Sequence, residues 1–318
     1  MPRLARLDAP GVLHHLMIRG IERRKIFWND QDREDFLDRL SRLLSETHTA
    51  CYAWVFIPNH AHFLFRSGQV PLATVMRRLL TGYAVSFNRR HKRYGHLFQN
   101  RYKSIVCQED TYLRELVRYI HLNPIRAGIV ATLSDLNDYA YCGHSALMGR
   151  RTRAWQDVDY VLSYFGETRR RAKKEYGSYM EAAFNQGRRN ELTGGGLIRS
   201  LGGWSEVRKH TLKGREHIKS DERILGDSDF VAGVLAQAKE KCDRKYELKR
   251  LGYDLGRVAA RVGEIFGLKE EDILSNGKQQ RKVKARGLLC FWAVRELGIS
   301  LTDLAKLLKL SVPGMDTR

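Results

Sequence analysis

Apolar positions in the first 125 residues follow two periods that alternate along the chain. "DQDREDFLDRLSRLLSETH" has apolar residues three and four apart behind an acidic first turn, which predicts a helix. "CYAWVFIP", "NHAHFLFRS" and the apolar run in "GVLHHLM" predict strands. Further helices are predicted over "PLATVMRRLLTGYAVSFNRRHKR" and "DTYLRELVRYIHLNP", with a loop entering a strand in "YGHLFQNRYKSIVCQ" between them. This alternation predicts an α+β or α/β sandwich around one central sheet.

Two residues are expected to bound the third of these helices. Asp110 is the predicted N-cap, because its side chain can accept a hydrogen bond from a backbone N–H of the first turn. Pro124 is expected to end the helix, since the residue before a proline is pushed out of helical geometry.

The remainder of the chain has a different composition. Residues 135–225 are basic and glycine-rich, and we expect helices joined by flexible segments there. From residue 227 the spacing is mostly helical. These shifts predict three regions: an α+β domain over residues 1–150, a basic helical linker over 151–226 and a helical region over 227–318.

The charge of the chain favours a polyanionic partner. There are 56 Lys and Arg against 36 Asp and Glu, a formal net charge of +20, and nucleic acid is therefore the leading partner. The basic residues are dispersed, and neither a lipidation motif nor a spanning apolar run occurs, which argues against a membrane. Five scattered cysteines and an N-terminus without a secretory pattern predict free thiols and a cytoplasmic location.

The stretch "PNHAHF" places two histidines, His60 and His62, two residues apart in a predicted strand. Alternation puts both imidazoles on one face and Ala61, Phe63 and Phe65 on the opposite, core-facing side. Burial then does not explain the histidines, although a solvated or packed pair is the ordinary alternative. Neutral imidazoles bind divalent transition metals, so the pair predicts part of a metal site.

A third ligand is predicted in "YIHLN". Asn123 follows Tyr119 by one helical turn, near the negative end of the helix dipole, and its amide oxygen suits Mg²⁺ or Mn²⁺. Two imidazoles and one amide oxygen leave positions for water or a phosphate oxygen, unlike a closed zinc site. Tyr119 would stand beside the metal, where a cation and a polarised phosphate make its phenol a usable nucleophile; simple packing is the alternative.

Basic and aromatic residues surround these motifs. Phe98 and Tyr102 are candidates to stack unpaired bases. His14 and His15 in the first strand are expected to pack, although one of them could approach the site. His121 lies on a different helix face from the tyrosine and is not expected to bind the metal. The predicted phosphate clamps, for which a solvated basic face is an equal alternative, are Arg101, Lys103, Arg118 and Arg126.

"PNHAHFLF", "GHLFQNRYKSI" and "YIHLNPIRAGIV" resemble the single-tyrosine HUH transposases, in particular the REP-associated tyrosine transposases of the IS200 type. The likeness spans roughly residues 8–150, with a small alanine between the two histidines. It implies a ferredoxin- or RRM-like sandwich with an antiparallel sheet, acting as monomer or homodimer on single-stranded or hairpin DNA, such as repeated palindromic elements. It also implies Mg²⁺ or Mn²⁺ on His60, His62 and Asn123, and attack by Tyr119 to give a 5′-phosphotyrosine and a free 3′-OH.

Residues 255–312 carry a second resemblance, to the helix-turn-helix domain of the replication initiator DnaA. It rests on "IFGL" with acidic residues after it, "KVKARGLLCFWAVREL" and "SLTDLAKLLKLS". It implies that a helix reads duplex DNA in the major groove. An incomplete recognition helix is expected from Ser311, because Pro313 and Gly314 interrupt it. A helical bundle that only packs is the alternative.

The prediction is thus a DNA strand-transferring enzyme. A catalytically silent DNA-binding regulator of the same fold and a metal-dependent phosphodiesterase that uses water are the alternatives. The water-using enzyme keeps the histidine pair but does not need Tyr119.

Overall fold

The computed structural model describes residues 7, 11–68, 70–184, 192, 221–237, 248, 251–275, 279–297, 299, 304, 305, 307 and 308. The chain forms two compact units, Met1–Leu235 and Ala236–Arg318. The region boundaries at residues 150 and 226 stay predictions. Across the described part of the chain, no helix combines the length and the apolar character needed to cross a membrane.

A five-stranded sheet forms the centre of the first unit. Its strands are β1 Leu13–Arg19, β2 Ala50–Ile57, β3 His60–Arg66, β4 Lys103–Cys107 and β5 Ile224–Leu225. Their order is β2-β3-β1-β4-β5. Strands β1 to β4 pair antiparallel, which confirms the predicted α+β fold, whereas β5 pairs with β4 in parallel. The sequence did not indicate β5, because two residues carry no periodicity.

Helices cover both faces of the sheet. The predicted first three helices are confirmed as α1, α2 and α3. The helices of the first unit whose bounds the structure gives are α1 Asp30–Thr47, α2 Leu72–Arg90, α3 Glu109–His121, α4 Asn123–Arg126, α5 Leu133–Asp138, α6 His144–Leu147, α7 Val158–Ser163 and α8 Arg169–Glu181.

The two faces bury different residues. Alternate strand residues such as Phe56, Phe63 and Phe65 join α1 and α2 in one core. The other strand positions, among them Leu13 and Leu64, pack with α3, α7 and α8 in a second core. The sheet is therefore covered on both sides, and each strand side chain of β3 except those at its two ends is buried.

The ends of α3 differ from the prediction. Gln108 is the N-cap and makes no side-chain capping hydrogen bond, while Asp110 lies in the first turn. Helix α3 ends at His121, and Pro124 is the second residue of the short α4 rather than a terminator. A proline is tolerated in a first turn because the N–H that it lacks has no helical partner there.

The second unit is helical in its described part and has its own apolar core, which includes Val262, Ile273 and Leu289. Its helices with given bounds are α9 Leu255–Phe266, α10 Glu270–Leu274 and α11 Gln280–Arg295. The prediction of a mostly helical C-terminal part is confirmed for these residues. Most of "SLTDLAKLLKLS" and the expected recognition helix from Ser311 lie outside the described residues.

Candidate active site

The two predicted histidines lie at the start of β3. His60 pairs with Arg19 of β1, and His62 pairs with Met17, so both stand near the end of β1. Their ring centroids are 5.3 Å apart. His62 is only 5% exposed, because α3 covers this face of the sheet. The alternation was predicted correctly, but the face opposite Phe63 is not open, and the argument that burial cannot explain His62 was wrong.

Tyr119 lies on α3 above the histidines. Its ring centroid is 5.8 Å from that of His62, and the two rings meet edge to face. The ring is half-buried, and the guanidinium carbon of Arg126 lies 5.4 Å from its centroid. The helix thus holds the phenol of Tyr119 beside the imidazole of His62, and the guanidinium of Arg126 lies over the same phenol ring.

Asn123 follows at the first position of α4 and is buried. Its side-chain Nδ2 donates to the carbonyl oxygen of Tyr119 at 2.8 Å and to that of Ile120 at 3.4 Å. Because the amide nitrogen is committed to the backbone, Oδ1 is the atom of this amide that can serve as a ligand. The structure therefore brings Asn123 to Tyr119, although the two residues belong to successive helices.

His15 of β1 also belongs to this cluster. Its Nε2 lies 3.0 Å from Nδ1 of His62, and its ring centroid is 5.9 Å from that of Tyr119. Packing was the expected role for both histidines of β1. His14 does pack on the opposite face, where its Nδ1 lies 3.1 Å from Oγ of Ser104. The sequence reasoning allowed one of the pair near the site without identifying His15.

Burial keeps these imidazoles uncharged. It lowers the pKa of His15 from 6.5 to about 4, against a hydrogen bond to the Leu192 carbonyl that acts in the opposite direction. It also lowers the pKa of His62 well below its ordinary value, and the neighbouring His15, His60 and Arg19 add to this effect. A metal ligand must be a neutral imidazole, so the environment suits that role.

The predicted ligands, His60, His62 and Asn123, would supply three of the positions around a divalent ion. Within the described ranges, no three His, Cys, Asp or Glu side chains are grouped so that they could hold a metal. The set that remains is His60, His62 and the Asn123 amide oxygen, two nitrogens and one oxygen. Nδ1 of His60 lies 2.6 Å from Oδ1 of Asn59, which is the kind of second contact that orients a ligating histidine.

The predicted clamps differ in their surroundings. Arg101 and Lys103 are exposed, and Arg126 is half-buried against the tyrosine. Arg118, by contrast, is 9% exposed, bonds both carboxylate oxygens of Glu115 and lies 4.0 Å from the ring centroid of Tyr179. These contacts pack the Arg118 guanidinium between α3 and α8, which argues against a solvated face at this position. Its role as a phosphate clamp stays a prediction.

Two other predictions concern groups that prove to be in the core. Tyr102 is buried with the α1 and α2 side, so the base-stacking role predicted for it is wrong, and Phe98 is partly buried there. His121 is buried on the other side, with Nδ1 2.8 Å from the hydroxyl of Tyr176. Exposed aromatic rings do occur elsewhere, at Tyr94 and Trp28.

Part of this chain is similar to known proteins. No curated protein matches the chain. Among solved structures, it is similar to a REP-associated tyrosine transposase bound to a REP hairpin, with 17% identity and a TM-score of 0.40 over 50% of this chain and 90% of that one. Residues 10–123 match the family described as IS200-like transposases. This segment, which contains His15, His60, His62, Tyr119 and Asn123, is thus similar to the IS200-like transposases.

Proposed function

We propose that this protein is a DNA transposase that cleaves and rejoins single-stranded or hairpin DNA with Tyr119 as its nucleophile. One observation carries the proposal: the Tyr119 ring stands 5.8 Å from the ring of His62, in a segment that matches the IS200-like transposases. The excess of 20 positive charges supports a polyanionic substrate. Repeated palindromic elements are the proposed source of the hairpins.

In the proposed reaction, the hydroxyl oxygen of Tyr119 forms a bond to phosphorus while the bond from phosphorus to the 3′ oxygen breaks. The phenol loses its proton and the departing 3′ oxygen gains one. The products are a 5′-phosphotyrosine and a free 3′-OH. A 3′-OH can then attack the phosphotyrosine and reverse the step, so joining needs no external energy source.

The side chains around Tyr119 have distinct proposed roles. His60, His62 and Asn123 would hold Mg²⁺ or Mn²⁺, which when bound polarises the scissile phosphate. Arg126 brings a cation next to the nucleophile, where an anionic phosphodiester must approach. The exposed Arg101 and Lys103 are proposed to contact the DNA backbone.

For the second unit we propose contact with duplex DNA, as its likeness to the DnaA domain implies. Two features of α9 support a well-defined helical fold. Asp254 caps its first turn by accepting from the N–H of Arg257, and Gly267 ends it in the left-handed conformation with φ 59°. The proposed division of the chain is a catalytic domain over residues 1–150, a basic helical linker over 151–226 and a helical region over 227–318. Helices α7 and α8 of the linker pack in the core of the first unit, and the last region contains the second unit.

The test compares the full chain with Tyr119→Phe and Tyr112→Phe. Tyr112 is a matched control, because it is also half-buried on α3. Each protein is mixed with hairpin oligonucleotides labelled at the 3′ end, the end that stays joined to the protein, and Mn²⁺, and the products are separated on a denaturing gel. The proposal expects a labelled protein band with the unchanged chain and with Tyr112→Phe, and none with Tyr119→Phe.

The alternatives give different patterns in the same assay. Cleavage by Tyr119→Phe without any covalent band would indicate a water nucleophile. No cleavage on the denaturing gel, together with a shift of the DNA by all three proteins on a parallel native gel, would indicate a silent regulator. Either pattern would overturn the proposed function.

A further inference from the structure

The cluster contains one group to which the proposed reaction gives no role, the imidazole of His15. It lies diagonally across the β1–β3 pair from His62, since His15 is opposite Leu64 and Met17 is opposite His62. It is fully buried and uses both ring nitrogens, Nε2 toward Nδ1 of His62 at 3.0 Å and Nδ1 toward the carbonyl oxygen of Leu192 at 3.1 Å. A ring that only fills space would not need two aligned contacts.

The direction of these hydrogen bonds follows from chemistry. A carbonyl oxygen can only accept, so Nδ1 of His15 carries the proton in its contact with Leu192. A neutral imidazole has one N–H, so Nε2 of His15 must accept. Its partner, Nδ1 of His62, must therefore donate, which leaves the lone pair of His62 on Nε2.

We propose that His15 is a positioning residue. The Leu192 carbonyl fixes the proton of His15 on Nδ1, and Nε2 of His15 then fixes the proton of His62 on Nδ1. This hydrogen-bond relay leaves Nε2 of His62 free to bind a divalent cation. The role of a metal at His62 rests on the proposed function. The tautomer itself does not, because it follows from contacts within this chain.

The tautomer of His60 is fixed in the same way, by Asn59. Nδ2 of Asn59 donates to the carbonyl oxygen of Arg23 at 3.2 Å, so Oδ1 of Asn59 faces Nδ1 of His60, 2.6 Å away. That oxygen accepts, so Nδ1 of His60 carries a proton and Nε2 the lone pair. Two separate contacts thus leave the lone pair of both histidines on Nε2.

The relay extends the site beyond the segment that is similar to the IS200-like transposases. That segment ends at residue 123, whereas the accepting carbonyl belongs to residue 192. A backbone carbonyl leaves no side-chain signature, so the sequence pattern could not indicate this contact. The part of the chain after α8 therefore contributes to the state of a residue on β3.

The direct test is the ¹⁵N NMR spectrum of the histidine side chains in the metal-free protein at neutral pH. The proposal expects His62 and His60 each to show a protonated Nδ1 and an unprotonated Nε2. In His15→Leu, the signal of His62 should change to a mixture of tautomers, while that of His60 should stay the same. A protonated Nε2 on His62 in the unchanged protein would overturn the proposal, even if no variant folds.

The second readout is Mn²⁺ affinity, measured by the paramagnetic resonance of free Mn²⁺. Loss of such a second contact typically lowers metal affinity by ~10–100-fold, and we expect this for His15→Leu. His15→Gln should recover most of the affinity, because its side-chain oxygen can accept from Nδ1 of His62. His14→Leu is the matched control, an equally buried histidine of β1 on the other face, and it should bind Mn²⁺ as the unchanged chain does.

The two readouts separate this proposal from the proposed function. Unchanged Mn²⁺ affinity in a folded His15→Leu variant would overturn the relay. The expected tautomer in a protein that binds no Mn²⁺ at all would support the relay and contradict the metal role in the proposed reaction.

Discussion

The two faces of the central sheet are built from different chemistry. On the α1 and α2 side, aromatic rings such as Phe36, Phe63 and Tyr83 pack against one another, with Phe36 and Phe63 stacked at 6.0 Å between centroids. On the α3 side, the apolar core is interrupted by His15 and His62, which are joined by one hydrogen bond. Both faces bury an apolar core that stabilises the fold, and the α3 face also holds two imidazoles in contact with each other, which only a specific set of partners can satisfy.

The difference shows how one strand can serve both purposes. Neighbouring residues of β3 point to opposite faces, so His62 and Phe63 are adjacent in sequence but belong to different layers. A substitution at one of these positions should affect stability, and at the other activity. The predictions below test this separation, beginning with the largest effect.

Phe63→Ala should lower the free energy of unfolding by about 3–5 kcal/mol, since it removes a ring that is fully buried. Chemical denaturation measures this change. Val85→Ala on α2 is the control, because its side chain is exposed and its loss should change stability by about 0.5 kcal/mol or less. A loss below about 1 kcal/mol for Phe63→Ala would contradict the account of this face.

Acidification should lower the free energy of unfolding, because histidines buried on the α3 side of the sheet resist protonation in the folded state. Burial lowers the pKa values of His15 and His144 to about 4, and it also lowers the pKa values of His62 and His121 well below the ordinary value. Because the folded pKa lies below the unfolded value of 6.5, the unfolded state binds more protons between these values. The stabilising contribution is complete above pH ~6.5 and is lost as pH falls toward ~4.

For His15 alone this loss amounts to about 3 kcal/mol. Urea titrations at several pH values measure it, and His15→Leu should reduce the slope of stability against pH by about one proton in this window. A free energy of unfolding that does not change between pH 7 and 4.5 would contradict the burial of neutral imidazoles.

Asn123→Leu should slow formation of the covalent DNA adduct by ~10–100-fold, because it removes both the ligand oxygen and the amide that bonds the Tyr119 carbonyl. Asn123→Asp keeps a ligand oxygen but loses the N–H donor. Its rate of adduct formation should lie between the rates of the unchanged chain and of Asn123→Leu. The rate of adduct formation at saturating Mn²⁺ is the measurement. If Asn123→Leu reacts at the rate of the unchanged chain, Asn123 has no part in the site.

The smallest effect is expected at the arginines. Arg126→Gln should reduce the slope of log affinity for DNA against log salt by ~1, since it removes one phosphate contact. Arg118→Gln should leave this slope unchanged, because its guanidinium is bound to Glu115. Fluorescence anisotropy at several salt concentrations distinguishes them, and equal slopes for both variants would remove the distinction drawn between these residues.

Periodicity was sufficient to predict most of the first unit. It gave the first three helices, the strands β1 to β4 and the common face of His60 and His62, because each depends on local spacing. Tyr119 was singled out instead by its four-residue spacing from Asn123 and by the resemblance to the HUH transposases. Asp110 and Pro124 were misjudged because capping depends on backbone conformation at the helix end.

Periodicity could not predict which polar side chains are buried with polar partners. His14 and His15 both lie in a strand with two covered faces, so the apolar pattern does not tell which imidazole meets His62. Arg118 looked like a surface cation because Tyr179, which covers its guanidinium, is identified only by the packing of α8 on α3. Its other partner, Glu115, lies three residues earlier on α3. Strand register and contacts between residues distant in sequence determine which of these polar side chains are buried together.

The most direct test of the account is to identify the residue that becomes joined to DNA. The full chain is incubated with a hairpin oligonucleotide and Mn²⁺, digested with protease and nuclease, and analysed by mass spectrometry. The account predicts a nucleotide phosphate on Tyr119, in a peptide that is absent from the Tyr119→Phe digest. A phosphate on another tyrosine, or cleaved DNA without any modified peptide, would contradict it.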